Sequence, residues 1–385
     1  MIVLGACLTQ FTIVGLLFSY GLFFKALETE YGWSRTLLSG CMSLTVIVMG
    51  LLASFGGHLS DRYGPRLVLA AAGTLCGAGY ALLAQVTAVW QLFVVFGLFI
   101  SMGMATHDVV TLSAVARQFH RRRGLMTAVV KVGTALGQIT VPLGAAFLIA
   151  SFEWRSTLTI LGFGAIAVLL LGAALMKSPP AGGLSGAGEP GAGIRDVRRN
   201  PVFWMLCAIQ FSHFSSLTTI PLHIVVHGMD MGMTATLAAS LLSVMAAASI
   251  AGRLTVGGFA DRIGGRRALM VCFVPLLAGL VSFLFIATPW LLFAAVAVYG
   301  FAHGGLFTVV SPTVAEYFGL QSHGAIFGAV VFFGTAGGAA GPILAGGVFD
   351  LTDSYAPAFA ALAGLAAAGL VLVLRLPAPG ARPGR

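Results

Sequence analysis

Long apolar segments alternate with short polar or Gly- and Pro-rich stretches along all 385 residues of the chain. A helix needs about 20 apolar residues to cross the roughly 30 Å of bilayer hydrocarbon. The pattern therefore predicts twelve membrane-spanning helices, at approximately 2–25, 36–58, 67–86, 90–116, 124–150, 156–176, 202–227, 233–258, 268–287, 290–315, 323–349 and 356–375.

One connection is much longer than the others. Residues 177–200, "KSPPAGGLSGAGEPGAGIRDVRRN", are rich in Pro and Gly, which is typical of a flexible linker. The chain is thus predicted to form an all-α membrane protein of two pseudo-symmetric six-helix bundles. Their predicted ranges are 1–176 for the N-terminal bundle, 177–200 for a cytoplasmic linker, 201–376 for the C-terminal bundle and 377–385 for a cytoplasmic tail.

Composition and charge agree with a lipid environment. The chain is 58% hydrophobic and 9% charged, whereas a soluble domain carries about 25% charged residues. Most of the 21 Lys and Arg residues lie in the loops and tail on one side, against Lys25, Arg35 and Arg155 on the other. This bias predicts that both termini are cytoplasmic. It also explains the net charge of +9 without nucleic-acid binding.

Several kinds of chemistry are not expected. The cysteines Cys7, Cys41, Cys76, Cys207 and Cys272 stand singly in apolar segments, so we expect them to be packing residues. No metal-ligand spacing, nucleotide-binding loop or pair of intramembrane carboxylates is visible, so we expect no cofactor, no metal and no enzyme. No signal peptide is predicted, and the lack of a basic residue before the first helix leaves open a longer natural N-terminus.

Two stretches of ten residues are nearly alike and begin at positions 57 and 257. They read "GHLSDRYGPR" and "GGFADRIGGR" and share Gly57/Gly257, Asp61/Asp261, Arg62/Arg262, Gly64/Gly264 and Arg66/Arg266. Each falls between the second and third predicted helices of its half, as expected for an internal duplication.

This repeated pattern resembles the loop between the second and third helices in the major facilitator superfamily. The resemblance implies a substrate site between two six-helix bundles near the bilayer midplane, exposed alternately to each side. It also implies a cytoplasmic gate, in which we expect Asp61 to pair with Arg117. Asp261 is expected to matter less, because Glu316 takes the corresponding place on the tenth helix. The alternative is that these charges only set the topology.

Two further stretches resemble the monocarboxylate-porter and oxalate–formate branches of that superfamily. They are "SYGLFFKALETEYGWSR" at 19–35 and "ASIAGRLTVGGFADRIG" at 248–264, which contains Arg253. In mammalian-type monocarboxylate porters an Asp one turn before the eighth-helix Arg is associated with proton coupling, but Ser249 stands there in this chain. The eleventh-helix Lys of oxalate–formate exchangers is also missing, and Phe332 and Phe333 predict an apolar wall instead.

Three charged residues lie well inside predicted helices: Asp108, Lys131 and Arg253. Charges inside a membrane are costly and are functional by default. At about 1.5 Å per residue, each lies roughly 12–14 Å above the cytoplasmic boundary. Asp108 and Lys131 could form a structural salt bridge. Arg253 has no carboxylate within four residues on its own helix. Its planar fork of N–H donors fits a carboxylate, so we expect the substrate to be its counterion. The alternative is that Arg253 pairs with backbone carbonyls or helix C-termini.

The sequence thus predicts a carrier that moves a small organic anion, in the first place a monocarboxylate, with a proton. The predicted substrate-binding residues are Arg253, Tyr20, His107, His303 and Phe332, and the predicted proton-coupling residues are Asp108, Lys131 and His107. The predicted cytoplasmic gate comprises Gly57, Asp61, Arg62, Gly64, Arg66, Arg117, Gly257, Asp261, Arg262, Gly264 and Arg266. The seventh-helix histidines are expected to be hydrogen-bonded packing residues, with a role as proton carriers as the alternative: His213, His223 and His227.

The expected setting is a bacterial inner (plasma) membrane, with a monomer as the working unit. The expected partners are the anion, the proton and the lipid bilayer. Two alternatives remain within transport: an organic anion exchanger of the oxalate–formate type, and an exporter of an amphipathic compound. An intramembrane enzyme or a sensor is disfavoured, because the sequence shows neither a catalytic constellation nor a soluble domain.

Overall fold

The computed structural model describes residues 1–33, 35–119, 122–176, 197–286, 288–352 and 354–378. Every regular element in these ranges is helical. Residues 177–196 of the predicted linker and 379–385 of the predicted tail lie outside them. The helices of the first half are α1 (Ile2–Tyr31), α2 (Arg35–Tyr63), α3 (Pro65–Leu83), α4 (Val89–Gln118), α5 (Arg123–Phe152) and α6 (Trp154–Leu175).

The second half repeats this order. Its helices are α7 (Pro201–Asp230), α8 (Ala235–Ile263), α9 (Gly265–Ser282), α10 (Pro289–Phe318), α11 (His323–Thr352) and α12 (Ala356–Arg375). Among the described residues, eleven helices contain a stretch long and apolar enough to cross a membrane. Helix α7 is not one of these eleven, but its 30 residues are long enough to cross a bilayer.

The repeated stretches lie at helix ends rather than in an open loop. The hydrophobic pattern predicts that the second and eighth helices end near residues 58 and 258, but α2 continues to Tyr63 and α8 to Ile263. A glycine then ends each helix, with φ of +86° at Gly64 and +79° at Gly264. Other residues rarely adopt this left-handed conformation, so the repeated glycine lets α3 and α9 start at once.

The described chain forms two compact units. The first comprises Met1–Gln118, Val129–Gly191 and Leu320–Gly328, and the second Phe119–Ala128, Ala192–Gly319 and Ala329–Arg385. The first turns of α5 thus belong with the second-half helices, and the first turns of α11 with the first-half helices. The predicted domain boundary at 177–200 falls mostly outside the described residues and stays a prediction.

Small residues bring α8 and α10 close together in the second unit. A Cβ atom added at Gly300 would meet the carbonyl oxygen of Met245 at 2.6 Å. Gly304, on the next turn, faces the backbone of Ser249, and Gly252 faces the backbone of Phe301. Glycine at such positions allows helix backbones to approach closely within a membrane. The neighbours of these glycines, Arg253 and His303, are therefore held on adjacent helices.

Helix α4 is irregular at its centre. Val95–Ile100 forms a π-helix, a turn of α-helix follows, and a new helical segment begins at His107. π-helical turns inside α-helices occur frequently at functional sites. The break places Asp108 in the first turn of the last segment.

Candidate functional site

The first unit contains a buried ion pair. Lys131 Nζ on α5 donates to Asp108 Oδ1 on α4, with side-chain exposures of 3% and 18%. Gln10 Nε2 on α1 donates to the same carboxylate oxygen at 2.8 Å. Three helices therefore meet at one carboxylate, whose charge is balanced by the ammonium group and stabilised by the amide.

Gln10 is the centre of this polar network. Its side chain is completely buried, and its Nε2 also donates to Thr111 Oγ1 at 3.0 Å. Its Oε1 accepts a hydrogen bond from Thr134 Oγ1 at 2.9 Å. Gln10 is not among the residues predicted from charge, although a Gln inside the first apolar segment is itself a signal of a buried polar contact. His107 lies at the edge of the network, with Nδ1 2.5 Å from the Met104 carbonyl oxygen.

The second unit holds the buried guanidinium. Arg253 on α8 is 2% exposed, and its Cζ atom lies 5.1 Å from the centre of the Phe307 ring on α10, within the range of a cation–π contact. The His303 ring lies one turn earlier on α10, with its centre 5.0 Å from that of Phe307. Arg253 and His303, both predicted from the sequence, are thus gathered around one aromatic side chain.

His213 on α7 completes this cluster. It is 1% exposed, and its ring centre lies 5.7 Å from that of His303 and 5.9 Å from that of Phe307. Neither of its ring nitrogens has a hydrogen-bond partner among the described residues, and the same holds for His303 Nδ1 and Ser249 Oγ. These four atoms of the second unit therefore differ from the side-chain atoms of Gln10, which are hydrogen-bonded. The sequence predicts a hydrogen-bonded packing residue at His213, but no hydrogen bond to its ring is found among the described residues.

Tyr20 and Phe332, the other predicted substrate contacts, lie in different units. The Tyr20 hydroxyl donates to the Leu38 carbonyl at 3.0 Å, and its ring packs edge-on against Phe96 in the interior of the first unit. Phe332 on α11 is half-buried in the second unit and packs against Phe333, with ring centres 5.4 Å apart. Their contact with a substrate stays a prediction.

The first repeated stretch is held by charge at the end of α2. Arg117 Nη2 on α4 forms an ion pair with Asp61 Oδ1. Asp61 Oδ2 accepts the backbone N–H of Ala325 at 3.2 Å, in the first turn of α11. Gly57 packs against the backbone of Gly324, with no room for a Cβ atom. The carboxylate therefore combines a basic partner with a helix N-terminus, where negative charge is stabilised.

The second repeated stretch makes a related contact with backbone N–H groups. Asp261 accepts the backbone N–H groups of Gly124 at 2.7 Å and Leu125 at 3.1 Å, in the first turn of α5. Glu316, where the first half has Arg117, accepts the Gly265 N–H at 2.7 Å. Both carboxylates thus cap helix N-termini, which the sequence prediction did not foresee.

The arginines of the two repeated stretches differ in their contacts. Arg62, Arg66 and Arg262 are exposed, and the Arg62 guanidinium lies 5.2 Å from the centre of the Tyr63 ring. Arg266 Nη2 donates to the Leu374 carbonyl at 2.5 Å, which links α9 to the end of α12. Their predicted role in a gate stays a prediction.

A charged cluster also joins the end of α1 to the start of α6. Arg155 donates to Glu30 Oε1 at 2.7 Å and to the Ala84 carbonyl at 2.6 Å. The hydrogen bond from Arg155 holds the pKa of Glu30 below its ordinary value, and a bond from Trp154 acts in the same direction. Because Glu30 is largely exposed, we assign this cluster to helix packing. Within the described ranges, no group of three or more His, Cys, Asp or Glu residues is placed to hold a metal ion.

Apolar helices long enough to span a bilayer, with charged clusters buried inside them, define a multi-pass α-helical membrane protein. The family model described as "Major Facilitator Superfamily" matches residues 6–289 and 230–385. The chain therefore belongs to the major facilitator superfamily, whose fold the sequence pattern predicts.

Relatives and solved structures agree with this membership. The chain is 27% identical to monocarboxylate transporter 13 of Bos taurus, over 98% of this chain and 89% of that protein. It is also 27% identical to the uncharacterized MFS-type transporter YhjX of Escherichia coli K12, over 86% of this chain and 83% of that protein. The crystal structure of the Escherichia coli fucose:proton symporter FucP shares the fold, with a TM-score of 0.75 at 14% identity, covering 96% of this chain and 97% of that one.

Proposed function

We propose that the protein is a secondary active transporter that moves a small organic anion, in the first place a monocarboxylate, together with a proton. Membership in the superfamily supports transport by alternating access. The similarity to a monocarboxylate transporter over nearly the whole chain supports an anion as the substrate.

The observation that carries the proposal is the buried guanidinium of Arg253, which lies over the Phe307 ring that the His213 and His303 imidazoles also contact. A guanidinium presents a planar fork of N–H donors that matches the two oxygens of a carboxylate. In a site from which water is excluded, such charge-assisted bonds are stronger than in water. Arg253 is therefore the proposed carboxylate anchor.

The proton is assigned to the network of Asp108, Lys131 and His107. Asp108 is held by Lys131 and Gln10 in the first unit, so its protonation would free the ammonium group of Lys131. A network with two such arrangements can link proton binding to a change of conformation. The contacts of Asp61 and Asp261 with helix N-termini are assigned to the gate on the cytoplasmic side.

The distribution of Lys and Arg supports a plasma-membrane location with both termini in the cytoplasm. One chain contains both repeated halves, so we propose that a monomer carries out transport. The proposed partners are the anion, the proton and lipid.

Uptake into proteoliposomes tests the proposal. Purified protein would be given radiolabelled lactate, pyruvate, acetate, formate, oxalate and aromatic acids, with and without an inward-directed proton gradient. Accumulation of a monocarboxylate that rises with the gradient is expected. Uptake that requires internal anion and ignores pH would identify an exchanger instead.

A matched pair of variants separates specific transport from leakage. Arg253→Ala should abolish uptake, whereas Arg267→Ala, at an exposed arginine near the start of α9, should preserve it. If neither the native protein nor Arg267→Ala transports any of the acids, the anion-carrier proposal is wrong.

A further inference from the structure

We infer that His213 and His303 form a hydrogen-bonding subsite for an uncharged polar group of the substrate, next to the Arg253 that takes the carboxylate. The ligand class is an organic acid that also carries a hydroxyl, carbonyl or amide group. This inference rests on the proposed function, because Arg253 must hold the acid for the subsite to receive the second group.

The geometry gathers the three side chains around Phe307. The Arg253 Cζ atom and the His303 and His213 rings lie 5.1, 5.0 and 5.9 Å from the centre of the Phe307 ring. The two imidazole centres are 5.7 Å apart and come from different helices, α7 and α10. The guanidinium and both imidazoles therefore all lie against one aromatic ring, on three adjacent helices.

The two imidazoles have hydrogen-bonding capacity that no described residue uses. A neutral imidazole has one N–H donor and one acceptor nitrogen. Both nitrogens of His213 and Nδ1 of His303 are buried without a hydrogen-bond partner in the described ranges. Buried polar side chains in proteins nearly always have a partner, so this arrangement points to a polar group supplied by a ligand.

The Gln10 network in the first unit provides an internal comparison. There the buried amide of Gln10 is satisfied by Asp108, Thr111 and Thr134. In a cluster that serves only packing, we would expect the buried polar atoms to be hydrogen-bonded to one another in the same way. The ring nitrogens of His213 instead have no hydrogen-bond partner among the described residues, and neither does Ser249 Oγ, one turn before Arg253 on α8.

The position of the cluster also suits a substrate. His213 lies 12 residues after Pro201, and His303 lies 14 residues after Pro289. At about 1.5 Å per residue these distances correspond to roughly 18 and 21 Å along helices of about 45 Å. Both imidazoles are therefore near the middle of their helices, far from either helix end.

The charge of the cluster selects an uncharged group for the imidazole side. In α7–α12, Arg253 is the only Lys or Arg away from the helix ends. A second carboxylate on the substrate would therefore have no second Lys or Arg to pair with in these helices. A cationic group on the substrate would be repelled by Arg253. A hydroxyl or carbonyl oxygen needs only the neutral donor and acceptor that an imidazole offers.

Binding of matched acids tests the inference. Pairs that differ by one polar group are propionate with 2-hydroxypropionate, butanoate with 3-hydroxybutanoate, and 3-phenylpropionate with 3-(4-hydroxyphenyl)propionate. Dissociation constants would be measured by isothermal calorimetry on the purified full chain. The native protein is expected to bind the hydroxylated member of at least one pair about tenfold more tightly, as for one added hydrogen bond.

Variants of His213 then assign the preference to the cluster. His213→Phe keeps an aromatic ring against Phe307, so it should bind the plain acid normally and lose the preference for its hydroxylated partner. His213→Gln can still hydrogen-bond and should retain part of the preference. His223→Phe, which changes a histidine ten residues further along α7, is the matched control and should keep the whole preference.

The outcomes are distinguishable. If Arg253→Ala binds the acids as tightly as the native protein, the proposed function fails. If Arg253→Ala loses binding but the native protein shows no preference within any pair, the inference about His213 and His303 fails alone. A preference that survives in both His213→Phe and His303→Phe overturns it as well. A size-exclusion profile identical to the native one establishes that a variant is folded. If His213→Phe is not folded, the preference for the hydroxylated acid is measured in His213→Gln, where it should be reduced.

Discussion

Lys131 on α5 and Gln10 on α1 donate to the same carboxylate oxygen of Asp108 on α4. An ammonium group and an amide together favour the charged carboxylate. A proton can replace Lys131 on Asp108 only if the ammonium group moves or its charge is balanced elsewhere. Protonation and rearrangement of these three helices are therefore expected to be linked.

The first prediction concerns coupling. Asp108→Asn should abolish accumulation driven by a pH gradient, because an amide cannot take up the proton. Exchange of substrate at equal pH should persist, since the shape of the side chain is kept. Proteoliposome uptake and exchange assays measure both activities. Undiminished pH-driven accumulation in this variant would remove Asp108 from the coupling mechanism.

A double change distinguishes coupling from simple charge balance. Removing one member of a buried ion pair leaves the other charge uncompensated and is strongly destabilising. If Asp108 serves only to balance Lys131, Asp108→Asn combined with Lys131→Gln should restore the gradient-driven accumulation that each single change removes. We expect the double variant to regain thermal stability but not accumulation.

The second prediction concerns Gln10. Gln10→Leu removes the bonds to Asp108, Thr111 and Thr134 and leaves these groups buried, so it should lower the free energy of unfolding by about 1–3 kcal/mol. Ser19→Ala is the control, because the Ser19 hydroxyl bonds only within α1, to the Gly15 carbonyl. Thermal unfolding in detergent compares them. Equal losses would show that the Gln10 network adds nothing beyond ordinary helix contacts.

The sequence predicts the fold and the ion pairs well because both depend on patterns that can be read along the chain. Apolar length identifies the spans, and the repeat identifies the superfamily. Asp61 with Arg117, and Asp108 with Lys131, are complementary charges at matching depths on consecutive or nearby helices. Their pairing in the structure follows from the expense of leaving such charges alone in a membrane.

The remaining contacts depend on packing and could not be read from the sequence. Asp261 bonds to the backbone of Gly124 and Leu125, and backbone N–H groups occur at almost every position of a sequence. Gln10 and His213 are uncharged, so the search for intramembrane charge gave them no weight. Only the arrangement of neighbouring helices shows that the Gln10 side chain is hydrogen-bonded and that the His213 ring has no hydrogen-bond partner among the described residues.

The third prediction uses two adjacent glycines of the second repeated stretch. A Cβ atom at Gly257 would lie 2.5 Å from Ala128 Cβ and 2.7 Å from the Gly124 carbonyl oxygen, whereas at Gly258 the nearest atom, Leu125 Cδ1, is 4.0 Å away. Gly257→Ala should therefore force α5 and α8 apart, cost about 1–3 kcal/mol and slow transport. Gly258→Ala should leave both stability and transport near native. Similar uptake rates for the two variants would argue against a gate at this contact.

The fourth prediction compares the two repeated aspartates. Asp61→Asn removes the partner of the mostly buried Arg117 guanidinium, which should cost about 1.5–3 kcal/mol of the interaction and slow transport. Asp261 is exposed and accepts two backbone N–H groups. Asp261→Asn keeps an acceptor oxygen for them and should have a smaller effect. Substrate affinity should stay near native in both. Equal slowing by the two changes would show that the Asp61–Arg117 pair has no special role.

The last prediction concerns Arg253. Arg253→Lys keeps the positive charge but loses the planar fork, and with it one of two parallel bonds to a carboxylate. A charge-assisted hydrogen bond contributes about 1.5–3 kcal/mol, so affinity for the acid should fall roughly ten- to a hundredfold. Arg253→Ala should eliminate binding of the acid, and the uncharged amide of the same acid should be ignored by the native protein. Isothermal calorimetry and uptake measure these effects, with Arg267→Ala as the control. Native affinity for a carboxylate in Arg253→Ala would make this guanidinium structural and remove the main support for an anion carrier.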